Sequence, residues 1–425
     1  MALVYKPRIA DVLLREKLES KGAVLIEGAK WCGKTSTAEQ IAGSSVCMSE
    51  PGQIERNLQL AAVNPGLLLG GKTPRLIDEW QIAPQLWDAV RFEVDRRNTL
   101  GQFVLTGSSV PADMSRVLHS GTGRFSWLRM RPMTLWESGE STGEVSLADL
   151  FAGKSQVAGS SQLDIEQVAF AVCRGGWPAS IFMKERAALE QAFDYVAAVE
   201  HRDISAADGT PRDASKVHRF MRAYARHQGT QANCSTLRAD LAADEAGSVS
   251  EASITAYINA LKKIFVIEDA EAWNPNLRSK TAIRTSDTRY FTDPSIAVAA
   301  LGLGPADLMQ DLPTFGLLFE TLCIRDLRVF SQALHGSVCH YRDKSGLECD
   351  AVVHLRDGRF GLVEVKLGGD TLINEGVRTL RTLADRLDKS KMKEPSFLMI
   401  LTATGKYAYR RSDGVCIVPV TCLKN

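Results

Sequence analysis

The sequence predicts an α/β protein of several domains, and three observations favour this fold class. Its 425 residues exceed what one ordinary hydrophobic core covers, so two or three domains are expected. A glycine-rich turn near the amino end lies between an apolar strand and a helix start, which is typical of a mostly parallel sheet. Helical patterns fill the middle, and short strands alternate with helices after Gly316. We place the domains at residues 1–140, 141–205, 206–308 and 309–425.

Net charge does not discriminate between binding partners, whereas hydropathy and cysteine spacing indicate the cellular compartment. The formal net charge of +1 neither favours nor excludes a nucleic-acid partner. No apolar run reaches the roughly 18 residues that a membrane span needs, so we expect no membrane association and a cytoplasmic location. The nine cysteines are scattered without C-x-x-C spacing, which favours buried thiols over a zinc site or a disulfide framework.

The stretch GAKWCGKTS fits the pattern G-x-x-x-x-G-K-[ST] at every position. Glycines in such a loop let backbone N–H groups close around phosphate oxygens. We expect Lys34 to place its charge on the β- and γ-phosphates of ATP, and the Thr35 hydroxyl to ligate Mg²⁺. A chance match in a turn is the alternative, but AVLIEG before the loop and KTSTAEQIA after it supply the required strand and helix. The residues predicted to line the nucleotide are Gly28, Ala29, Lys30, Trp31, Cys32, Gly33, Lys34, Thr35 and Ser36.

A second motif, PRLIDEWQ, is a short apolar strand that ends in Asp78 and Glu79. An aspartate at a strand end can hold the water shell of Mg²⁺, and the adjacent glutamate can polarise the attacking water. Alone, the pattern would equally fit a strand followed by two solvated acids. A third strand, QFVLTGSS, ends in hydroxyls, so Thr106 or Ser108 is a candidate for sensing the γ-phosphate.

Arg124 lies just before another strand candidate, FSWLRM. An arginine there could reach a nucleotide bound by the next subunit and stabilise transition-state charge. This interpretation requires a homo-oligomer, for which a hexameric ring is one arrangement. The alternative is a surface arginine, or a structural one paired with a carboxylate.

Taken in order, these motifs resemble the AAA-type P-loop ATPases of a prokaryotic family over roughly residues 1 to 200. The resemblance rests on GAKWCGKTS, LIDEWQ, VLTGSS, GRFSWLRMRPMTLWE and CRGGWPASI. It implies ATP and Mg²⁺ as cofactors and a small helical lid that opens at Gly175-Gly176-Trp177-Pro178. Relatives often carry Pro-Arg-Gln-Val where Ala29 to Cys32 stand, positions that need not supply a side chain to phosphate. Arg174, beside the lid turn, is a further candidate for contact with the γ-phosphate.

The middle of the chain predicts a winged-helix-like region. Residues 151–163 are rich in glycine and serine and indicate a loop or mobile insert. Three helical patterns and the strand candidate VIEDAEAW then follow in the order of a winged helix-turn-helix. The third helix, capped by Ser248 or Ser250, has an apolar face of Ile254, Tyr257, Ile258, Leu261 and Ile264.

Two roles remain open for this region, DNA contact or a packing and dimerisation module. DNA contact would use Lys262, Lys263, Arg278, Lys280 and Arg284. Glu251 in the first turn of the third helix speaks for the packing role. EHRDIS, followed by SITAYINAL, resembles the region usually joined to the same ATPase family.

After Gly316, polar residues occupy strand positions where apolar ones are expected. Asp350 precedes the run AVVHL, and strand alternation turns Glu364 and Lys366 to one face. Asp350 and Glu364 would hold Mg²⁺ or Mn²⁺, while Lys366 would orient or deprotonate water. Glu320 on the preceding helix could complete the metal shell. A structural ion pair of Glu364 and Lys366 is the alternative.

The order of helix, strands and polar residues resembles the PD-(D/E)xK nuclease superfamily over roughly residues 310 to 425, which implies a nuclease-like α/β domain. GLECDAVV stands where members often read G-x-E-[IVL]-D, with Cys349 in place of the aliphatic residue. Because such folds also bind partners without catalysis, two functions stay open. One is an ATP-driven oligomer that binds and remodels or translocates on DNA, with or without metal-dependent cleavage. The other is a nucleotide-gated regulatory, defence or antitoxin-type switch whose nuclease-like domain is an interaction module.

Overall fold

The computed structural model describes residues 4–110, 119–154, 156–243, 250–274, 286–388, 390 and 392–425. The contacts group the chain into two compact units. Unit 1 comprises Met1–Pro132, His201–Arg212 and Asn259–Val266, and unit 2 comprises Met133–Glu200, Asp213–Ile258 and Ile267–Asn425. Within the described ranges, no helix has both the length and the apolar character of a membrane span.

The secondary structure of both units follows the chain in this order. The helices are α1 (Ile9–Ser20), α2 (Lys34–Glu39), α3 (Ile54–Val63), α4 (Gly66–Leu69), α5 (Leu86–Arg97), α6 (Leu135–Ser138), α7 (Leu147–Phe151), α8 (Ile165–Arg174), α9 (Glu185–Ala198), α10 (Ile204–Ala206), α11 (Ala214–Ala225), α12 (Cys234–Ala243), α13 (Glu251–Lys263), α14 (Pro294–Leu301), α15 (Pro305–Gln310), α16 (Leu312–Ala333) and α17 (Asp370–Arg386). The strands are β1 (Ala23–Glu27), β2 (Ser44–Cys47), β3 (Arg75–Asp78), β4 (Phe103–Gly107), β5 (Phe125–Arg129), β6 (Val145–Ser146), β7 (Ala158–Ser160), β8 (Gly336–Arg342), β9 (Glu348–Leu355), β10 (Phe360–Lys366), β11 (Leu398–Thr402), β12 (Tyr407–Arg410), β13 (Cys416–Pro419) and β14 (Leu423–Lys424).

Unit 1 is built on a parallel sheet of order β2-β3-β4-β1-β5. Because the strands are parallel, their carboxyl ends share one edge, and Glu27 of β1 pairs in register with Gly107 and Arg129. One face of the sheet packs on aromatic side chains, and Trp87 stacks on Phe125 with ring centroids 3.8 Å apart. The residues that follow β1, β3 and β4 therefore lie together at the carboxyl edge of the sheet.

Unit 2 contains a seven-stranded sheet of order β7-β12-β13-β11-β10-β9-β8. The prediction of helices and short strands after Gly316 is confirmed by α16, β8 to β10, α17 and β11. The prediction of a loop over residues 151–163 was wrong in part, because Ala158–Ser160 forms the edge strand β7 and pairs with β12. That pairing joins segments far apart in the chain, so a short A-G-S stretch gives no local signal for it.

The middle helices agree with the predicted pattern as far as the structure describes them. Ile254, Ile258 and Leu261 of α13 and Ile264 just after it are buried, and Tyr257 is partly buried. VIEDAEAW forms isolated bridges, among them Ile267 with Phe291 and Ala270 with Thr288, in place of a continuous strand. The predicted positions Ser248, Arg278, Lys280 and Arg284 lie outside the described residues. The winged helix stays a prediction.

A buried ion cluster links four segments of unit 2. Arg325 on α16 contacts Asp293 at 2.8 Å and Asp326 at 2.7 Å, and all three side chains are at most 1% exposed. Asp293 also accepts a hydrogen bond from the backbone N–H of Gly176 in the predicted lid turn. Asp326 accepts a hydrogen bond from the backbone N–H of Leu135. One guanidinium thus fixes the start of α14, the turn after α8 and the start of α6 against α16.

We expect Arg325→Ala to lower the free energy of unfolding by about 3–5 kcal/mol, because it leaves two buried carboxylates without a cation. Urea denaturation followed by tryptophan fluorescence measures this change. Arg386→Ala is the matched control, since Arg386 pairs with Asp343 at the surface. Such a surface ion pair contributes at most about 1 kcal/mol to the free energy of unfolding. Equal effects of the two substitutions would contradict the role given to the cluster.

Candidate functional sites

The loop after β1 has the shape that its glycines predict. A Cβ on Gly28 would lie 2.0 Å from the carbonyl oxygen of Met130, so no larger residue fits there without moving the backbone. Gly33, the N-cap residue before α2, has φ of 100°, a left-handed conformation that favours glycine. Trp31 at the tip of the loop is 55% exposed, whereas Ala29 and Cys32 are buried.

Lys34 points into the curve of this loop. Its ammonium group donates to the carbonyl oxygens of Gly28 at 2.9 Å and Ala29 at 2.8 Å, and the residue is only 6% exposed. The charge therefore lies beside the start of α2, whose backbone N–H groups can bind phosphate.

The side chains of Thr35 and Asp78, whose oxygens suit Mg²⁺, meet at the carboxyl edge of the sheet. The Thr35 hydroxyl at the start of α2 donates to Oδ1 of Asp78 at 2.8 Å, and the Thr106 hydroxyl of β4 donates to the same oxygen. Hydroxyl and carboxylate oxygens are hard ligands of the kind that Mg²⁺ prefers. The residues present thus fit the metal that accompanies ATP, and Thr106 orients Asp78.

Glu79 directly follows β3 in a left-handed conformation with φ of 55°, so the predicted strand ends one residue earlier. Its carboxylate accepts hydrogen bonds from the Gln81 side chain and, at 3.3 Å, from the Ser108 hydroxyl. Ser108, predicted at the γ-phosphate, thus contacts the candidate base in this structure. We call Glu79, Gln81 and Ser108 the glutamate clamp. Sequence reasoning missed Gln81, which reaches Glu79 because a 3₁₀ turn follows β3.

Two further residues hold the phosphate loop from outside. Lys30, predicted to line the nucleotide, forms an ion pair of 2.6 Å with Asp203, which belongs to the EHRDIS segment of unit 1. The guanidinium of Arg8 is buried and donates to the carbonyl oxygens of Cys32 and Arg131, both at 2.8 Å. Neither contact has a local sequence signal, because both join the loop to distant segments.

The other two arginine candidates, Arg124 and Arg174, form ion pairs with acids outside the phosphate loop. Arg124 precedes β5 and so lies at the amino edge of the sheet, opposite the phosphate loop. It pairs with Asp95 at 2.8 Å and is 45% exposed, so it does not join the nucleotide site of its own chain. Arg174 forms a bidentate, largely buried ion pair with Glu140 in unit 2.

In unit 2 the predicted acids and lysine converge on one face of the sheet. Glu364 and Lys366 of β10 are two residues apart, and Asp350 lies on the neighbouring strand β9. The Lys366 ammonium lies 2.6 Å from a Glu364 oxygen and 3.4 Å from an Asp350 oxygen. The same Asp350 oxygen accepts a hydrogen bond from the backbone N–H of Val365. We call Asp350, Glu364 and Lys366 the acid–lysine cluster.

Glu320 of α16 lies near the acid–lysine cluster and accepts a hydrogen bond from the Tyr290 hydroxyl, a partner that sequence reasoning missed. Burial and the charge of Asp350 raise the pKa of Glu320 well above its usual value, and the same two causes raise that of Glu364. In the part of the chain that the structure describes, no group of three or more His, Cys, Asp and Glu side chains is placed to hold a metal ion. Lys366 contacts Asp350 and Glu364, and the Tyr290 hydroxyl donates to Glu320, so the three-carboxylate metal shell stays a prediction.

The comparisons with known proteins agree with the phosphate-loop geometry. A family model described as an AAA domain matches residues 20–138. This match supports a P-loop ATPase domain over residues 20–138, with ATP binding and hydrolysis as its activity. Two models described as domains of unknown function match residues 165–307 (DUF8612) and 315–423 (DUF4143).

Two relatives and one solved structure are also similar to this chain. Uncharacterised proteins of Mycobacterium bovis and Mycobacterium tuberculosis are each 22% identical over 421 residues, covering 98% of this chain and 84% of the relative. A Walker-type ATPase of Pyrococcus abyssi has a TM-score of 0.43 at 15% identity, covering 71% of this chain and 99% of that one.

Proposed function

We propose that the protein is an oligomeric ATPase whose hydrolysis cycle acts on DNA bound by unit 2. The observation that supports this most is the convergence of Asp350, Glu364 and Lys366 in a chain that also carries the phosphate loop. A face with two carboxylates and an ammonium group suits phosphodiester chemistry, because it can hold a divalent cation and place a positive charge beside the phosphate.

In unit 1 we assign each side chain a separate task in hydrolysis. Lys34 binds the β- and γ-phosphate oxygens, and Thr35 and Asp78 would hold Mg²⁺, which neutralises phosphate charge when bound. A water oxygen attacks the γ-phosphorus while the bond to the β–γ bridging oxygen breaks, giving ADP and phosphate. Glu79 takes the proton of the attacking water. Gln81 and Ser108 hold the carboxylate of Glu79 in one position for that transfer.

Arg124 is the residue that makes oligomerisation part of the proposal. It is exposed at the amino edge of the sheet, away from the phosphate loop of its own chain. An arginine in that place can act on a nucleotide only if another subunit presents one. A homo-oligomer, with a hexameric ring as one form, would bring the two together.

In unit 2, Asp350 and Glu364 would supply the protein ligands of one Mg²⁺ or Mn²⁺ ion. Two carboxylates are sufficient, because Mg²⁺ usually keeps several waters and binds through one or two carboxylates. The charge of Asp350 opposes ionisation of Glu364 and of the nearby Glu320, and a bound divalent cation would offset this repulsion. Lys366 would orient or deprotonate the water that breaks a DNA phosphodiester bond.

A nucleotide-gated switch is the second candidate function, and one observation favours it. Glu364 is 5% exposed and is already paired with Lys366, which resembles a structural ion pair more than an open catalytic centre. In that case unit 2 would be a non-catalytic interaction module. A gel shift at low salt separates the two functions, because a DNA-binding protein binds most tightly there.

We expect Glu79→Gln to lower kcat for ATP hydrolysis by about 10²–10⁴-fold while ATP binding persists, because only the proton acceptor is lost. Gln81→Ala should lower kcat by a smaller factor and leave KM unchanged, since Gln81 donates to Glu79 and would act only by positioning it. A coupled assay for ADP release measures both parameters. Gln310→Ala at the end of α15 is the control. A raised KM with unchanged kcat in Gln81→Ala would contradict the glutamate clamp.

We expect the wild-type protein to nick plasmid DNA with Mn²⁺, and Lys366→Ala to do so about 10²-fold more slowly, because the group that activates water is gone. Agarose electrophoresis of supercoiled plasmid measures the nicking rate. Lys393→Ala is the control, since Lys393 is exposed and contacts only the Asp357 carbonyl among the hydrogen bonds described for it. Equal nicking by wild type and Lys366→Ala would refute cleavage by this cluster.

A further inference from the structure

The ion pair of Lys30 and Asp203 joins the phosphate loop to a segment 173 residues further along the chain. The Lys30 ammonium lies 2.6 Å from Oδ1 of Asp203, and both residues belong to unit 1. The Lys30 side chain is 49% exposed, whereas that of Asp203 is only 10% exposed. The pair therefore joins a lysine that is open to solvent to a carboxylate that is largely desolvated.

The segment that carries Asp203 is closed by its own hydrogen bonds. Asp203 ends a π-helical turn, and Arg212 lies nine residues after it. The Arg212 side chain donates to the carbonyl oxygen of Ile204 and to both carboxylate oxygens of Asp208. These contacts hold the backbone next to Asp203, so the acid has a fixed position while the flexible stem of Lys30 can turn.

Lys30 also lies beside the predicted position of the phosphates. It directly follows Ala29, whose carbonyl oxygen accepts a hydrogen bond from the Lys34 ammonium at 2.8 Å. Lys34 binds the β- and γ-phosphates in the proposed function, so a phosphate at that ammonium would lie close to the backbone of Lys30. The attraction between the Lys30 ammonium and a bound nucleotide grows with the charge of the nucleotide, and ATP carries one phosphate more than ADP. Lys30 thus has two anionic partners within reach, Asp203 and the nucleotide.

We propose that Asp203 competes with the γ-phosphate of ATP for the Lys30 ammonium and so sets the ratio of the affinities for ATP and ADP. With ADP bound, Lys30 stays on Asp203. With ATP bound, Lys30 turns to an oxygen of the γ-phosphate, and a largely buried carboxylate loses its cation, which subtracts from the affinity for ATP. Asp203 is in this sense a positioning residue that acts through Lys30. This inference rests on the proposed function and adds to it the way in which unit 1 distinguishes the two nucleotides of its cycle.

Isothermal titration calorimetry of the full chain tests the competition, with Mg²⁺ and either ADP or AMP-PNP, an ATP analogue that is not hydrolysed. We expect Asp203→Asn to bind AMP-PNP about tenfold more tightly and ADP with unchanged affinity, because Lys30 no longer gives up an ion pair. Lys30→Met should bind AMP-PNP several-fold more weakly and ADP as the wild type does, since only the contact with the γ-phosphate is lost. The double variant should match Lys30→Met, because the acid acts only through the lysine.

Asp149→Asn is the matched control, because it removes the acid of another lysine–aspartate ion pair, that with Lys154 at 2.7 Å in unit 2, and should change neither affinity. Thermal unfolding of each variant shows whether the fold persists, and Asp203→Ser, which also removes the charge, keeps the test valid if Asp203→Asn unfolds. A merely structural pair would weaken the binding of both nucleotides when it is broken.

Weaker or unchanged AMP-PNP binding in the Asp203 variants would therefore overturn the competition, as would a gain that persists in the Lys30→Met background. If the Asp203 variants bind both nucleotides as the wild type does while DNA still raises the ATPase rate, the competition fails and the proposed function stands. If the wild type binds neither nucleotide, both fail.

Discussion

The structure of unit 2 depends on one guanidinium buried between two carboxylates. Arg325 with Asp293 and Asp326 is excluded from solvent, and each acid also accepts a backbone N–H from another segment. A buried charge is tolerated only when it is paired and hydrogen-bonded, so these segments are constrained to one arrangement. The constraint extends over both family regions of unknown function, because Asp293 lies in the first and Arg325 in the second. The sheet that carries the acid–lysine cluster packs on the same helix, α16.

In unit 1 the corresponding constraint is the parallel sheet. Because the strands share a direction, Gly28 after β1, Asp78 at the end of β3 and Thr106 in β4 come to one edge without any special side-chain contact. The local details then adapt each residue to its task. Glu79 leaves the strand in a left-handed conformation, and its carboxylate meets Gln81 and Ser108. The parallel sheet thus places these residues at one edge, and the side-chain contacts of Glu79 fix the orientation of its carboxylate.

Much of this could be predicted from the sequence, since local patterns specify local structure. The loop from Gly28 to Ser36 and the strands of Asp78, Asp350 and Glu364 follow from glycine spacing and alternation. Contacts between distant segments could not be predicted, as the ion pair of Lys30 with Asp203 and the pairing of β7 with β12 illustrate. A single sequence gives no register for such contacts. Arg124 shows a further limit, because the role proposed for it depends on a second subunit.

We propose that ATP hydrolysis in unit 1 acts on DNA held by unit 2. The most direct measurement is the steady-state rate of ATP hydrolysis with and without saturating single-stranded DNA, at low salt. We predict that DNA raises kcat several-fold in the wild type, and that the rate stays near background in Glu79→Gln under both conditions. An ATPase rate that does not change with single-stranded, duplex or branched DNA would contradict the account and leave the nucleotide-gated switch as the function.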